Sequence, residues 1–448
     1  MGMHVNGIRP AAVQGGGTKE NHMSTKGFAL GTLLAGSALF VSSQASAQYG
    51  PTTPATSSQA QPQATKSEEA PARKFDISKQ ARPALAELQA AVNAKDTANI
   101  PAKLAAAQAK AKTADDRYLI AQMQLKAAVD GNNMESAAQA IDAMIATGVA
   151  QPSELAGLYE SSGQINYNIK AFDKAGTALE QSLKYDPNNV ETMIMLAETR
   201  NAQARVPDAV AMIQKAIATR KQAGQKPDEK WFKRAIALSY NAKMPVASSI
   251  ALDWVAAYPT SSNWRDAIRI YQTGSQLDDA GMIDSMRLAE AVGALTGESD
   301  YFRLANTLVN KGYAGEAKLV LEQGFAANRI SKAKPTFSQL YSAATTKSQG
   351  DRASLAGQAT AALAAPDAKK AMVVADAYYG YGDYAKAAEL YRAALGKSGV
   401  DKDLANLRLG MALARSGDKA GATAAFNAAG GAQVEVAKLW KVYVATRG

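Results

Sequence analysis

The chain of 448 residues contains no cysteine and only two histidines, His4 and His22. Without cysteine it has no disulfide framework, no thiolate metal site and no cysteine to carry a lipid. Beyond His22 it cannot build a Ser-His-Asp triad, a Cys-His dyad or a zinc site with histidine ligands. These absences exclude several hydrolase and metalloenzyme classes. We therefore expect no catalytic residue, no metal and no cofactor.

The chain also lacks an apolar run long enough to cross a membrane. Lys26 precedes a short apolar stretch, residues 27–41, and the small residues Ala45-Ser46-Ala47 follow. A basic start, about 7–15 apolar residues and an A-x-A site are typical of a secretory signal peptide. A membrane span needs about 20 apolar residues, so an uncleaved anchor is the weaker alternative and we expect no stable membrane insertion.

Export sets the expected boundaries at the start of the chain. Met23 is the natural start of such a signal, so we interpret residues 1–22 as an over-long start or an added segment and 23–47 as the signal peptide. Residues 48–75 are mostly rich in Pro, Thr, Ser, Gln and Ala, which predicts a disordered linker. The exported protein would be periplasmic or secreted.

A strong excess of charge of one sign is missing too. The net charge is +10, and loss of Arg9, Lys19, Glu20 and Lys26 with the signal would leave +8. The chain has no long block of lysine and arginine, so we expect no nucleic-acid partner. A mild positive charge leaves an anionic envelope polymer open as a partner.

What the chain does contain is a pattern that returns. Gly382-Asp383-Tyr384-Ala385-Lys386-Ala387 reappears as Gly417-Asp418-Lys419-Ala420-Gly421-Ala422, 35 residues later. Recurrence at this period predicts one helical hairpin stacked many times. Small residues where two helices meet closely form a ladder at similar spacing. Its members are Ala175, Ala209, Ala247, Ala280, Ala317, Ala387 and Ala422.

Two units show the pattern well. One reads Trp231, Ala235, Leu238, Ala247, Ala251, Trp254 and Pro259; another reads Leu409-Gly410, Leu413, Ala422, Phe426 and Ala429. This resembles the tetratricopeptide repeat family. The resemblance implies an all-α, right-handed superhelical solenoid of helix-turn-helix repeats.

The repeat pattern also predicts how the rest of the chain is divided. We expect degenerate helical hairpins over 76–150, the repeat array over 151–433 and a capping helix over 434–448. A gap of 70 residues in the ladder leaves room for one degenerate hairpin near 337–365. A capping helix is expected because a repeat stack otherwise exposes its last apolar face.

The family resemblance also implies where a partner binds. In the family, one face of each first helix lines a concave groove. Arg265 and Arg269 lie on or near that face, one helical turn apart, and arginine is suited to bidentate binding of carboxylates. A solvated arginine face beside core aromatics is the alternative. The candidate groove residues are Phe232, Ile236, Arg265, Arg269, Phe302 and Asn306.

Together these features predict a non-catalytic periplasmic scaffold that binds a protein or peptide segment, in envelope assembly or polysaccharide export. The alternative is an accessory subunit of an envelope enzyme that binds glycan or peptidoglycan. A scaffold should co-purify with a protein partner, whereas the accessory subunit should sediment with purified cell wall.

The signal peptide generates a direct test. We predict translation from Met23 and cleavage after Ala47, which leaves Gln48 as the mature N-terminus. Intact-mass and N-terminal peptide mass spectrometry of the exported protein measures this. A membrane-bound product that retains Leu33-Leu34 would show that the segment is an anchor.

Overall fold

The computed structural model describes residues 74–447 apart from residue 276. The predicted signal peptide, residues 1–22 and nearly all of the predicted linker lie outside the described residues. Twenty α-helices and no strand occur within the described part. Their bounds are α1 Arg82–Asn93, α2 Ile100–Lys110, α3 Ala114–Asp130, α4 Met134–Ala146, α5 Pro152–Asn168, α6 Phe172–Tyr185, α7 Val190–Ala202, α8 Val206–Gln222, α9 Glu229–Asn241, α10 Val246–Ala257, α11 Ser261–Gly274, α12 Asp279–Ala291, α13 Glu298–Asn310, α14 Ala314–Ala326, α15 Pro335–Ala364, α16 Ala368–Gly380, α17 Tyr384–Leu395, α18 Lys402–Ser416, α19 Lys419–Ala428 and α20 Val434–Thr446.

The chain divides into two compact units, one ending at Pro187 and one beginning at Asn188. The first contains α1 to α6 and the second contains α7 to α20. In both, most consecutive helices pack against each other as antiparallel pairs. The all-α fold of stacked hairpins, similar to tetratricopeptide repeats, is therefore confirmed. The division falls inside the predicted repeat array rather than at residue 150.

Eight of the hairpins close with the same backbone turn. After the first helix one residue takes a positive φ, and the next N–H donates to a carbonyl five residues back, as in Asp383 to Tyr378 at 3.0 Å. This is the hydrogen bond of a Schellman C-cap. Glycine fills the positive-φ position in only three of these turns. The positions are Lys95, Asn132, Lys170, Ala204, Lys243, Gly312, Gly382 and Gly417.

The ladder of small residues marks the close contacts as predicted. Six of its seven alanines are buried, and only Ala280, on α12, is partly exposed. Glycine serves the same purpose in some first helices. A Cβ on Gly410 would lie 2.5 Å from the ring of Phe426. Overpacking such a contact costs about 1–3 kcal/mol, so small residues recur there.

The region near 337–365 is not a hairpin. Pro335–Ala364 is one continuous helix of 30 residues, α15. Its first half buries Phe337 and Leu340, its second half buries Leu355, and residues 349–354 between them are exposed. The dipeptide Gly350-Asp351 does not form a turn here. A Cβ on Gly350 meets nothing within 4 Å, so no close packing forces the helix to break.

A buried carboxylate fastens the first described residues to the first unit. The Asp116 side chain accepts hydrogen bonds from Ser78 N and Oγ and from the backbone N–H groups of Lys112 and Thr113, at 2.7 to 3.1 Å. Phe75, in the predicted linker, stacks on Tyr118 at 6.0 Å between centroids. The packed fold therefore begins within the last residues assigned to the linker.

This carboxylate predicts a stability effect that depends on pH. Burial tends to raise the pKa of Asp116, but the hydrogen bonds outweigh it and lower the pKa from 3.8 to about 2. A depressed folded-state pKa contributes stability above pH 3.8 that is lost as the pH falls towards 2. We expect Asp116→Asn to cost the first unit about 2 kcal/mol at neutral pH and almost nothing near pH 2.

Hydrogen exchange of amides in α1 and α3 measures this stability. Glu87→Gln is the matched control, because Glu87 is exposed in an ion pair with Lys103. Equal effects of the two substitutions at pH 7 would contradict the role assigned to Asp116.

Candidate functional site

Two of the six predicted groove residues belong to the core. Phe232 has no exposed surface and packs edge-to-face on Tyr258, 6.2 Å between centroids. Ile236, one turn later on α9, is also buried. The prediction that these two side chains meet a partner is wrong, because the face of α9 that carries them packs inward. Phe302 is 39% exposed and Asn306 is partly buried, so both remain candidates.

The predicted arginines lie at a cleft on the second unit. Arg265 and Arg269 on α11 face Arg303 on α13, and Gln272 and Asp300 complete its polar rim. Its floor is apolar. The floor residues are Ile268, Met286, Ala289, Ala294 and Leu295. We call this set the arginine cleft. The cleft thus holds three guanidinium groups and one carboxylate. Arg303, which donates to Gln272 at 3.4 Å, was not among the predicted groove residues.

The single carboxylate of the cleft is held away from the arginines. Asp300 Oδ2 accepts from the backbone N–H groups of Thr296 and Gly297 at 3.2 and 3.3 Å, which caps α13. Arg269 Nη2 lies 3.4 Å from Oδ1, and Arg265 Nε lies 4.0 Å from Oδ2. Charge-assisted hydrogen bonds are normally about 2.7–2.9 Å long. Pairing within the arginine cleft is therefore loose.

The rest of the unit shows that this looseness is local. Six other arginines each approach a carboxylate to between 2.5 and 2.7 Å; they are Arg205, Arg220, Arg234, Arg287, Arg408 and Arg415. In contrast, the Nε atom of Arg265 is buried and has no hydrogen-bond partner. An unmet buried donor costs about 1–3 kcal/mol. The side chains of Arg265 and Arg269 are 37% and 49% exposed, so their guanidinium groups retain capacity for a further acidic group.

A second group of charges lies buried at the centre of the unit. Arg287 on α12 donates to Asp284 at 2.8 Å and to both oxygens of Glu316 at 2.8 and 2.6 Å. Arg408 on α18 donates to Asp376 at 2.6 Å and to Asp284 at 3.3 Å. All five side chains are less than a tenth exposed. We call these five residues the central network.

Tyrosines complete the central network. Tyr391 and Tyr313 donate to the Asp376 carboxylate at 2.5 and 3.1 Å. The Arg287 guanidinium lies 5.1 and 4.9 Å from the ring centroids of Tyr313 and Tyr379. Burial alone lowers the pKa of a guanidinium, but the charges of Glu316 and Asp284 hold the pKa of Arg287 well above its usual value. The arginines remain charged at every pH at which the protein folds.

The two groups differ in what they can do. The charges of the central network are paired inside the protein, so the network holds α12, α14, α16 and α18 together. The arginine side chains of the cleft are more exposed: Arg265 is 37% and Arg269 is 49% exposed. Among residues 74–275 and 277–447, no cluster of acidic or histidine side chains could hold a metal ion. No helix in the described part of the chain is long and apolar enough to cross a membrane.

Comparison with known proteins adds little to this geometry. No protein-family model matches the sequence, and no curated protein is similar to it. Among solved structures, one of Naa15/Naa10 bound to HypK-THB matches with 14% identity and a TM-score of 0.27. The match covers 80% of this chain and 64% of that one, so the chain spans less than two thirds of its length. A TM-score this low carries no argument about this protein.

The central network predicts a large cost for losing one charge. Arg408→Met leaves the buried carboxylates of Asp284 and Asp376 without their shared cation, and breaking a buried pair costs about 3–5 kcal/mol. All four tryptophans lie between residues 231 and 440, in the second unit, so their fluorescence during urea unfolding reports this unit alone.

The control is Arg205→Met, which removes a pair that is half exposed on both sides. Such surface pairs contribute about 1 kcal/mol or less. If both variants unfold at the same urea concentration, the central network does not hold the unit together.

Proposed function

We propose that this chain is a non-catalytic scaffold that binds a protein segment carrying an acidic group in the arginine cleft. The loose pairing of Arg265 and Arg269 carries the proposal, because six other arginines of the unit each reach a carboxylate at 2.5 to 2.7 Å. Phe302, 39% exposed on α13, suits a segment that also presents an apolar side chain. Aromatic and arginine side chains are enriched in interface hot spots.

We extend the proposal to location and chemistry. The apolar stretch 27–41 and the small residues Ala45-Ser46-Ala47 that follow it support export to the periplasm or beyond. The lack of cysteine, and of histidine after His22, supports a role without catalysis. An envelope assembly or a polysaccharide-export system is the setting that we infer from export. No cofactor is needed for such a role.

A cell-wall polymer is the competing partner. Three arginines around one carboxylate would also attract an anionic glycan or peptidoglycan. The two partners are separated by experiment. Cross-linking and pull-down from the native envelope should recover a protein, whereas the purified protein should not sediment with cell wall. Sedimentation through the arginine cleft, without a protein partner, would favour an accessory subunit of an envelope enzyme.

We predict that Arg265→Ala combined with Arg269→Ala weakens binding of the recovered partner by about 1.5–3 kcal/mol. That is roughly a 10- to 150-fold rise in Kd. Lysine at both positions should restore only part of the affinity, because an ammonium cannot bind a carboxylate in the bidentate manner of a guanidinium. Isothermal titration with each variant measures the change.

The matched control is Arg205→Ala combined with Arg220→Ala, which removes two arginines that have close carboxylate partners on α7 and α8. It keeps the same change in net charge and should bind normally. Full affinity in a folded cleft variant, or equal losses in both double variants, would rule out the arginine cleft as the binding site.

A further inference from the structure

The last described helix does more than cap the last hairpin. As predicted, α20 follows α19 and packs against it, but it also contacts α10, α12 and α18. Its hydrogen bonds join residues 156 and 164 positions apart in the sequence. A helix that covered only the end of a stack would touch only its neighbour. We call the groove that α20 fills, between α10, α12 and α19, the α20 slot.

The apolar face of α20 is buried in the slot. Trp440 has no exposed surface, and its ring stacks on Phe426 of α19 at 6.4 Å between centroids. Val436 lies beside Gly281, where an added Cβ would come within 3.5 Å of Val436 Cγ2. The outward face carries Lys438. The helix is therefore amphipathic, with a bulky aromatic anchor near its middle.

The slot also has polar groups that form hydrogen bonds with α20 and with the residue before it. Trp440 Nε1–H donates to the backbone carbonyl of Asp284 on α12 at 3.1 Å. Tyr271 of α11 donates its hydroxyl hydrogen to Glu435, and Gln433 donates to Asp278 at 3.4 Å. Burial, together with the negative charge of Glu435, raises the pKa of the Tyr271 hydroxyl. These hydrogen bonds fix where α20 lies in the slot, in the same way that polar groups in a groove fix the position of a separate helical ligand.

The segment that leads into α20 contains two glycines. Gly430 precedes the short 3₁₀ turn Gly431–Gln433, and Gly431, its first residue, has a φ of +52°. The Gly430 N–H donates to Asp403 at 2.8 Å. Glycine adopts such conformations without steric cost and moves between them easily. For α20 to leave the slot, the hydrogen bond between Gly430 and Asp403 would break and the two glycines would let the connection adopt another conformation.

We propose that the α20 slot is a receptor for an amphipathic helix and that α20 is its resident ligand. A partner would present a helix with tryptophan, an apolar residue four positions before it and a carboxylate five positions before it, and would displace α20. The inference rests on the proposed scaffold function only for the existence of a partner. It concerns a surface separate from the arginine cleft, with its own experiment.

The test uses the full chain and a fluorescent peptide of residues 433–447. Trp440→Ala removes the anchor of the resident helix, so we expect the variant to bind the peptide about tenfold or more tighter than the wild type, in which the slot is occupied. Fluorescence anisotropy measures the affinity. Trp231→Ala, which removes a half-buried tryptophan of α9, is the control and should behave as wild type. A peptide carrying Trp440→Ala should not bind any of the three proteins.

Two outcomes would overturn the proposal. One is a folded Trp440→Ala variant that does not bind the peptide; the other is wild type that binds it equally well. Glu435→Ala, which removes only the contact with Tyr271, gives a milder opening if Trp440→Ala fails to fold. Its affinity for the peptide should lie between those of the wild type and Trp440→Ala.

Hydrogen exchange of the wild-type protein provides a second, independent measurement. If α20 leaves the slot while the unit stays folded, its amides exchange faster than those of α12. Exchange of both helices in one common opening would show that α20 is a fixed part of the core. The Arg265→Ala and Arg269→Ala variant should give the wild-type result in both experiments. Failure of the arginine cleft would therefore not be confused with failure of the slot.

Discussion

The ion pair between Arg287 and Glu316 determines how the second unit can be built. Removing these charges from water costs several kcal/mol per ion unless close partners replace the solvent. Asp284 and the rings of Tyr313 and Tyr379 supply those partners for Arg287, and Arg408 in turn pairs with Asp284. Since these hydrogen bonds and ion pairs join α12, α14, α16 and α18, the four helices are held in fixed relative positions.

The central network also explains why α12 departs from the repeat pattern. Eight residues of this helix are buried, on more than one face, including Asp284 and Arg287. Its ladder residue, Ala280, is partly exposed, while the other six ladder alanines are buried. The helix is thus used as a central element, joined through side chains to α14, α18 and α20. Its contact with α11 is slighter than the contact between the helices of the other hairpins.

Much of this fold could be predicted from the sequence, because each hairpin repeats a local requirement. Close helix contacts require a small residue, and Ala175, Ala387 and Ala422 occupy such contacts. The turns were harder to identify, since Lys95 and Ala204 take the positive φ that glycine supplies elsewhere. Other features depend on tertiary packing, which local periodicity does not encode.

Tertiary packing also decided the outcome for the candidate site. Phe232 occupies a position that lines the groove in the family that the sequence resembles, but here its side chain is buried in the core against Tyr258. Asp284 and Arg287 lie three residues apart, a spacing that is common for charges on the exposed face of a helix. Apolar neighbours such as Ile283 and Leu288 surround them in the sequence. Arg265 and Arg269 were identified because their spacing is local. Arg303 joins them only through the approach of α11 and α13.

The long helix α15 has a consequence for how this protein can vary. The helix contacts both α14 and α16. Tyr341 in its first half donates to Glu322 of α14, and its second half buries Leu355 beyond the exposed segment 349–354. An α-helix turns by about 100° for each residue, since one turn takes 3.6 residues. Inserting or deleting one residue within the exposed segment would rotate the Leu355 face relative to the first half of the helix. A substitution in the exposed segment would leave this relation unchanged. The length of this segment therefore sets how the two halves of α15 are rotated relative to each other.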